Sequence, residues 1–122
     1  QKDHRGKITD IVDQIQFNGA TIIESKARST RGNHYHKKSV QYVYILKGKM
    51  KCVSKRNGEP LEEAIVYSGH LITHDTFEAH AFEAVEDSCF LVLSSGLRCG
   101  KDYEKDTYRL HDPVSEFTII NE

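Results

Sequence analysis

The stretch Arg31–Gly48 reads RGNHYHKKSVQYVYILKG. Its second half, Val40 to Leu46, is a run of β-branched and aromatic residues closed by Lys47-Gly48, which is how a strand ending in a turn is written. In its first half, His34 and His36 share strand parity, so both side chains leave the same face of an extended segment. Two imidazoles on one face of a strand serve as metal ligands, as a proton-transfer pair, or as packing.

The rest of the chain repeats the same grammar. Short runs rich in β-formers, separated by Gly, Asn and Asp, predict strands near Lys7 to Ile11, Ala20 to Ser25, Val40 to Leu46, Lys49 to Ser54, Glu63 to Tyr67, His70 to Thr73, Glu78 to Val85 and Cys89 to Ser94. Arg56-Asn57-Gly58, Ser68-Gly69 and Glu86-Asp87 supply turns, with the Asn-Gly pair suited to a tight hairpin. About eight short strands at regular spacing imply an antiparallel all-β domain, a double-sheet jelly roll or small barrel. The character changes after Gly96, where GLRCGKDYEKDTYRL is polar and aromatic. A single domain over residues 1–122, with a C-terminal tail from about residue 97, is therefore expected, and Glu116 to Ile120 reads as a possible closing strand for the domain's own edge or a partner subunit.

Composition narrows the function classes. A chain of 122 residues with 38% hydrophobic and 29% charged side chains holds a core without staples. It has no apolar run near the roughly 20 residues needed to span a bilayer. With 17 basic against 18 acidic residues there is no global field for nucleic acid, so anion recognition falls to a local cluster: Lys26, Arg28, Arg31, Lys37 and Lys38. Cys52, Cys89 and Cys99 lack CxxC spacing and read as small buried hydrophobes in a reducing compartment. No signal peptide is evident, so the expected location is the cytoplasm. The start at Gln1 reads as a trimmed chain or a domain cut from a longer protein.

His80 lies in EAHAFEAV, in phase with Glu78, Phe82 and Ala84, so it points inward with them. With HxH on one strand, Gln41 on the next and His80 on a distant one, four side chains can converge in a barrel mouth. The nearby His74, Asp75 and Glu78 are placed to orient His80 or line that mouth. His4, His70 and His111 read as surface residues.

GNHYHKKSVQYVYILKG resembles the first cupin motif, in which HxH is followed by Glu and then Gly; Gln41 stands in the Glu slot and Gly48 in the Gly slot. From Gly69 the second cupin motif matches at Gly69 and His80, while Asp75, Phe77 and Ala84 replace its Pro, second Gly and Asn. The resemblance covers roughly residues 3 to 110 and implies a cupin double-stranded β-helix, the jelly-roll barrel. It implies a metal site of His34, His36, Gln41 and His80, suited to Zn, Fe, Mn or Ni. Gln41 departs from the pattern: a neutral amide removes the only anionic ligand.

A narrower resemblance comes from DHRGKI at Asp3 to Ile8, TRGNHYHKK at Thr30 to Lys38 and the tail KDYEKDTYRL. These are similar to the nucleotide-sugar cupins of polysaccharide biosynthesis, which include dTDP-4-keto-6-deoxyglucose 3,4-ketoisomerases, dTDP-4-dehydrorhamnose 3,5-epimerases and the cupin domain fused to capsular sugar reductases. The resemblance implies a sugar-nucleotide isomerase or epimerase acting on a 4-keto-6-deoxyhexose, with His34 and His36 as the catalytic pair and no metal required. Histidine is suited to moving the acidified C3 proton. Arg31 then contacts the diphosphate or the enediolate. Lys37, Gln41, Tyr44 and His80 complete the candidate substrate contacts, although Lys37 and Lys38 also read as a solvated turn. Tyr35 should point outward, and Tyr42 and Tyr44 alternate with Gln41 and Val43.

Two further readings stay open: a metal-binding cupin, either a small-molecule oxygenase or a non-catalytic sugar-binding module, and a regulatory or dimerisation domain. A homodimer is expected, because small cupins otherwise leave edge strands open to pairing.

Overall fold

The computed structural model of the chain describes residues 1–95 and 105–118. Among them are eleven strands: β1 (Lys2–Asp3), β2 (Gly6–Lys7), β3 (Gly19–Ser25), β4 (Thr30–Tyr35), β5 (Val40–Lys47), β6 (Lys49–Arg56), β7 (Glu62–Tyr67), β8 (Leu71–His74), β9 (Glu78–Ala84), β10 (Ser88–Ser95) and β11 (Tyr108–Arg109). One 3₁₀ turn, Val114–Glu116, follows. β1 and β2 form a small hairpin, while the rest assemble into a four-stranded sheet, β3-β10-β5-β8, and a five-stranded sheet, β11-β4-β9-β6-β7. Every pairing is antiparallel. This is the all-β jelly roll the strand pattern predicts.

Alternation along the strands fills the space between the sheets. On β5, Gln41, Val43 and Ile45 are buried while Tyr42 and Tyr44 are half-buried on the opposite face. On β6, Met50, Cys52 and Ser54 point inward between exposed lysines. Val43, Ile45, Met50, Cys52, Val66, Phe82, Ala84, Phe90 and Val92 form the main core, each large side chain contributing about 1.5–3 kcal/mol by leaving water. A second cluster lies on the outer face of the five-stranded sheet. There Val114 and Phe117 bury against Ala79, flanked by Tyr35, Val53, Leu61, Ala81 and Leu110, so the C-terminal segment seals that face.

Gly48 is where the chain leaves one sheet for the other, since β5 and β6 belong to different sheets. Its φ is +99°, and a Cβ there would come within 2.5 Å of the Asp87 carbonyl oxygen. Only glycine meets both conditions.

Several boundaries differ from the sequence reading. Lys7 to Ile11 is not a strand; the N-terminal pairing joins Lys2–Asp3 to Gly6–Lys7, because the His4-Arg5 turn lets the chain fold back within a few residues. β4 is missing from the predicted strands, although the HxH pair reads as part of an extended segment; pairing with β9 holds it extended from Thr30 onward. Asn57-Gly58 belongs to a longer connection that ends at Glu62, not to a two-residue hairpin. Glu116 closes the 3₁₀ turn, where Pro113 limits the backbone, while Ile119 and Ile120 lie outside the described residues, as does Cys99. Cys89 is half-buried, unlike the buried Cys52. Among the described residues no helix is long and apolar enough to cross a membrane.

Candidate functional site

A bulge in β4 builds the site. Gly32 and Asn33 both have positive φ, +91° and +60°, and the register against β9 shifts between Gly32 and His34. At Gly32 a Cβ would stand 2.9 Å from the His80 carbonyl oxygen, so a side chain there would push the two strands apart. The extra residue re-aims the strand, and beyond it His34 sits directly across from His80. Residues paired this way project to the same side of a sheet, here the barrel interior.

The imidazoles converge as the sequence predicts. Ring centroids lie 4.8 Å apart for His34 and His36, 4.7 Å for His34 and His80, and 5.5 Å for His36 and His80. All three residues are buried. His36 Nδ1 lies 2.9 Å from the Asp106 carbonyl oxygen, and His80 Nδ1 lies 3.1 Å from that of Glu78. A carbonyl only accepts, so each Nδ1 carries the proton and each Nε2 keeps its lone pair. His34 Nδ1, by contrast, is buried without a hydrogen-bond partner among the described residues.

Burial pushes the His34 imidazole down to about 3, helped by the charges of His36, Arg109 and His74. Burial also holds His80 well below the ordinary histidine range, with His74 and His34 adding to the effect. Both are neutral at physiological pH and present bases rather than acids.

A cavity of about 280 Å³ opens between the sheets over His34 and His80, with Arg31 and Gln41 also in its wall. Thr21 and Ser94 add hydroxyls to a lining that is otherwise largely apolar, including Ile23, Val43 and Phe90. Arg31 is oriented by Nε donating to Ser25 Oγ at 2.6 Å and Nη2 donating to the Glu24 carbonyl at 2.7 Å.

Three predicted residues stand elsewhere. His36 is packed behind the wall, 1% exposed. Lys37 lies at the β4–β5 turn with Nζ 4.5 Å from the centre of the Tyr108 ring. Tyr44 is on the outer face of β5, where it pairs across to Leu91 and Leu71. Tyr35 points outward as expected and stacks on Tyr108. Of the histidines read as surface, His4 and His111 are exposed, while His70 is half-buried and accepts the Tyr67 amide.

Two residues join the site without a sequence assignment. Arg109 on β11 sits across from His34; its only sequence signal is the tail resemblance that contains Tyr108-Arg109. Asp106, also in that tail, bonds the turn after His36. His74, read from sequence only as near the mouth, is buried and stacks on His80 at 4.2 Å. It also links inward to Cys52 Sγ at 3.9 Å and to Glu78 Oε2 at 4.0 Å. Burial takes the Cys52 thiol up to about 12, which leaves it protonated and unreactive. Burial raises the Glu78 carboxyl, but His74, the Asp75 amide and Arg56 outweigh that and hold it below the usual range.

The family described as the polysaccharide biosynthesis C-terminal domain matches residues 1–95. Curated protein sequences give no match. Among solved structures, the QdtA 3,4-ketoisomerase of Thermoanaerobacterium thermosaccharolyticum, a double mutant in complex with TDP, aligns with a TM-score of 0.70 at 26% identity. That alignment covers 92% of this chain and 83% of that one. The dTDP-4-dehydrorhamnose 3,5-epimerase of Sulfolobus tokodaii aligns at 0.68 and 20% identity, over 78% of this chain and 65% of that one. CapF, the capsular polysaccharide assembling protein of Staphylococcus aureus, aligns at 0.66 and 18% identity over 76% of this chain. This chain spans 28% of CapF.

Proposed function

The chain belongs to the polysaccharide biosynthesis C-terminal domain family, and from that premise we propose that it is a sugar-nucleotide isomerase or epimerase acting on a 4-keto-6-deoxyhexose. The observation that carries the reading is the neutral His34 imidazole facing a cavity it shares with Arg31, in a chain 26% identical to a 3,4-ketoisomerase over 92% of its length. A ligand in that cavity meets His34 and His80 directly. His36, behind them, exchanges protons through His34.

In this reading His34 removes the proton from C3, which the neighbouring C4 carbonyl acidifies. The electron pair becomes the enediolate, and its negative charge falls near Arg31 and Arg109. Return of a proton to C3 from the opposite face inverts that carbon; return to C4, with the C3 hydroxyl proton passing to the C4 oxygen, moves the carbonyl to C3. A base held at about 3 is weak, and an anionic ligand beside it raises its affinity for a proton. Binding of the diphosphate therefore activates the base. The same proposal includes a cytoplasmic setting and a homodimer, formed over the outer row in which Ile22, Leu91, Tyr44 and Leu71 pair across four strands. Incubation with dTDP-4-keto-6-deoxyglucose in deuterated water tests the chemistry: deuterium at C3 is expected, and its absence with no product overturns the reading for this substrate.

A second reading has its own observation. Nitrogen donors of His34, His36 and His80 lie within 4.8 Å of one another, and two of the rings are tied through Nδ1 to backbone carbonyls, as metal-binding histidines commonly are. Two nitrogens bound to one ion at about 2.1 Å each can be no more than about 4.2 Å apart. The widest spacing would have to contract, and Gln41 adds no charge. Such an ion would polarise a ligand oxygen, with the three histidines and Gln41 holding it. Metal analysis of untagged protein checks this, near-stoichiometric Zn, Fe, Mn or Ni lost in His80→Ala being the result that favours it.

A further inference from the structure

Asp106 is an aspartate only 2% exposed, a state that carboxylates rarely occupy unless their oxygens are satisfied. Here three consecutive amides satisfy them: Lys37 N–H donates to Oδ1, and Lys38 and Ser39 N–H donate to Oδ2, each at 3.0 Å. Burial raises the carboxyl, but the Lys38 and Lys37 amides outweigh it and hold it below its usual range. The turn these amides form begins at the residue after His36. The backbone carbonyl of the same Asp106 accepts the His36 Nδ1–H at 2.9 Å.

We propose that Asp106 is a positioning residue for the proton-transfer site: its side chain locks the turn that follows His36 while its main chain fixes the tautomer and rotation of the His36 ring. The inference rests on the reading of His34 and His36 as a pair. Turning the ring over would face carbon toward the Asp106 carbonyl and leave a buried acceptor unpaired, which buried polar groups resist. With Nδ1 holding the proton, the Nε2 lone pair is the only part of the ring able to take a proton from the His34 side. The clamp reaches across a separation of 70 residues and comes from a segment beyond the 1–95 family match. A bulge-side tie supports it: Leu110 N–H donates to the Asn33 carbonyl at 2.9 Å, holding the same segment against β4.

Asp106→Asn and Asp106→Ala test the clamp. Asparagine keeps the volume but turns one acceptor into a donor facing an amide; alanine removes both acceptors. Nitrogen NMR of the imidazoles at about pH 8, above the ordinary histidine range, should show wild-type His36 with a protonated Nδ1 and an unprotonated Nε2, and the variants with mixed tautomers. C3 deuterium exchange should fall by up to about 10²-fold in kcat, as misplacement of a reacting group costs, with KM little changed. A folded variant that retains the Nδ1–H tautomer, or full kcat, overturns the proposal. So does a wild-type protein with the proton on Nε2, a result that stands even if neither variant folds. The tautomer is read without substrate, so failure of the clamp is distinguishable from failure of the isomerase reading.

Discussion

The two ends of the barrel interior are built from the same strands and differ in what those strands carry. Across the β6–β9 pairing, Met50 meets Ala84, Cys52 meets Phe82, and Ser54 meets His80. On β5 the inward residues run Ile45, Val43, Gln41. One end is an apolar core; the other gathers His34, His36, His74 and His80. The apolar end gains stability from burial. The histidine end gives some of it back, because His34 Nδ1 is buried with no hydrogen-bond partner among the described residues, a cost of about 1–3 kcal/mol. A barrel can carry an expensive site at one end when the other end is ordinary.

Substitutions at the two ends should therefore separate activity from stability. The largest effect expected is His34→Ala, a loss of about 10²–10⁴-fold in C3 deuterium exchange with a melting temperature unchanged or raised. A fall in both would mean the histidine is structural. At the other end, Ile45→Ala, at a side chain with no exposure, should cost about 2–5 kcal/mol in denaturant unfolding and leave exchange per folded molecule intact.

Gly48→Ala acts at the corner joining the sheets. It should destabilise by at least the 1–2 kcal/mol of a left-handed residue, with more from crowding against Asp87 and Ser88. A pH slope is expected as well. His34 titrates near 3 when folded and near 6.5 when unfolded, so between those values the unfolded chain binds more protons. Stability is complete above about 6.5 and falls with decreasing pH by up to about 1.4 kcal/mol per unit. His80 is shifted in the same direction and steepens the slope. Unfolding of His34→Gln over the same range should lose the His34 share.

The legibility of this chain follows from how far apart its interacting residues lie. Most strands were readable because period-two alternation is local: Tyr42 and Tyr44 against Val43 and Ile45 need no knowledge of partners. The inward phase of His34, His36 and His80 was readable for the same reason. The bulge in β4 was not, since only its pairing with β9 shifts the register between Gly32 and His34. Tyr44 was a candidate by residue type, and its parity already argued for the outer face where it lies. Asp106, Arg109 and the stacking of His74 on His80 depend on contacts between distant segments, for which the local pattern has no sign.

The all-β jelly roll, the turn at Gly48 and the common face of the histidines follow from the order of residues alone, because each rests on backbone periodicity or on the conformations a single residue permits. Only the tertiary structure decided that His34 faces the cavity while His36 stands behind it. It alone showed that Asp106 holds the His36 ring and that Lys37 turns to Tyr108. Those outcomes depend on which strands become neighbours, and β-sheet neighbours are set by long-range pairing rather than by local sequence.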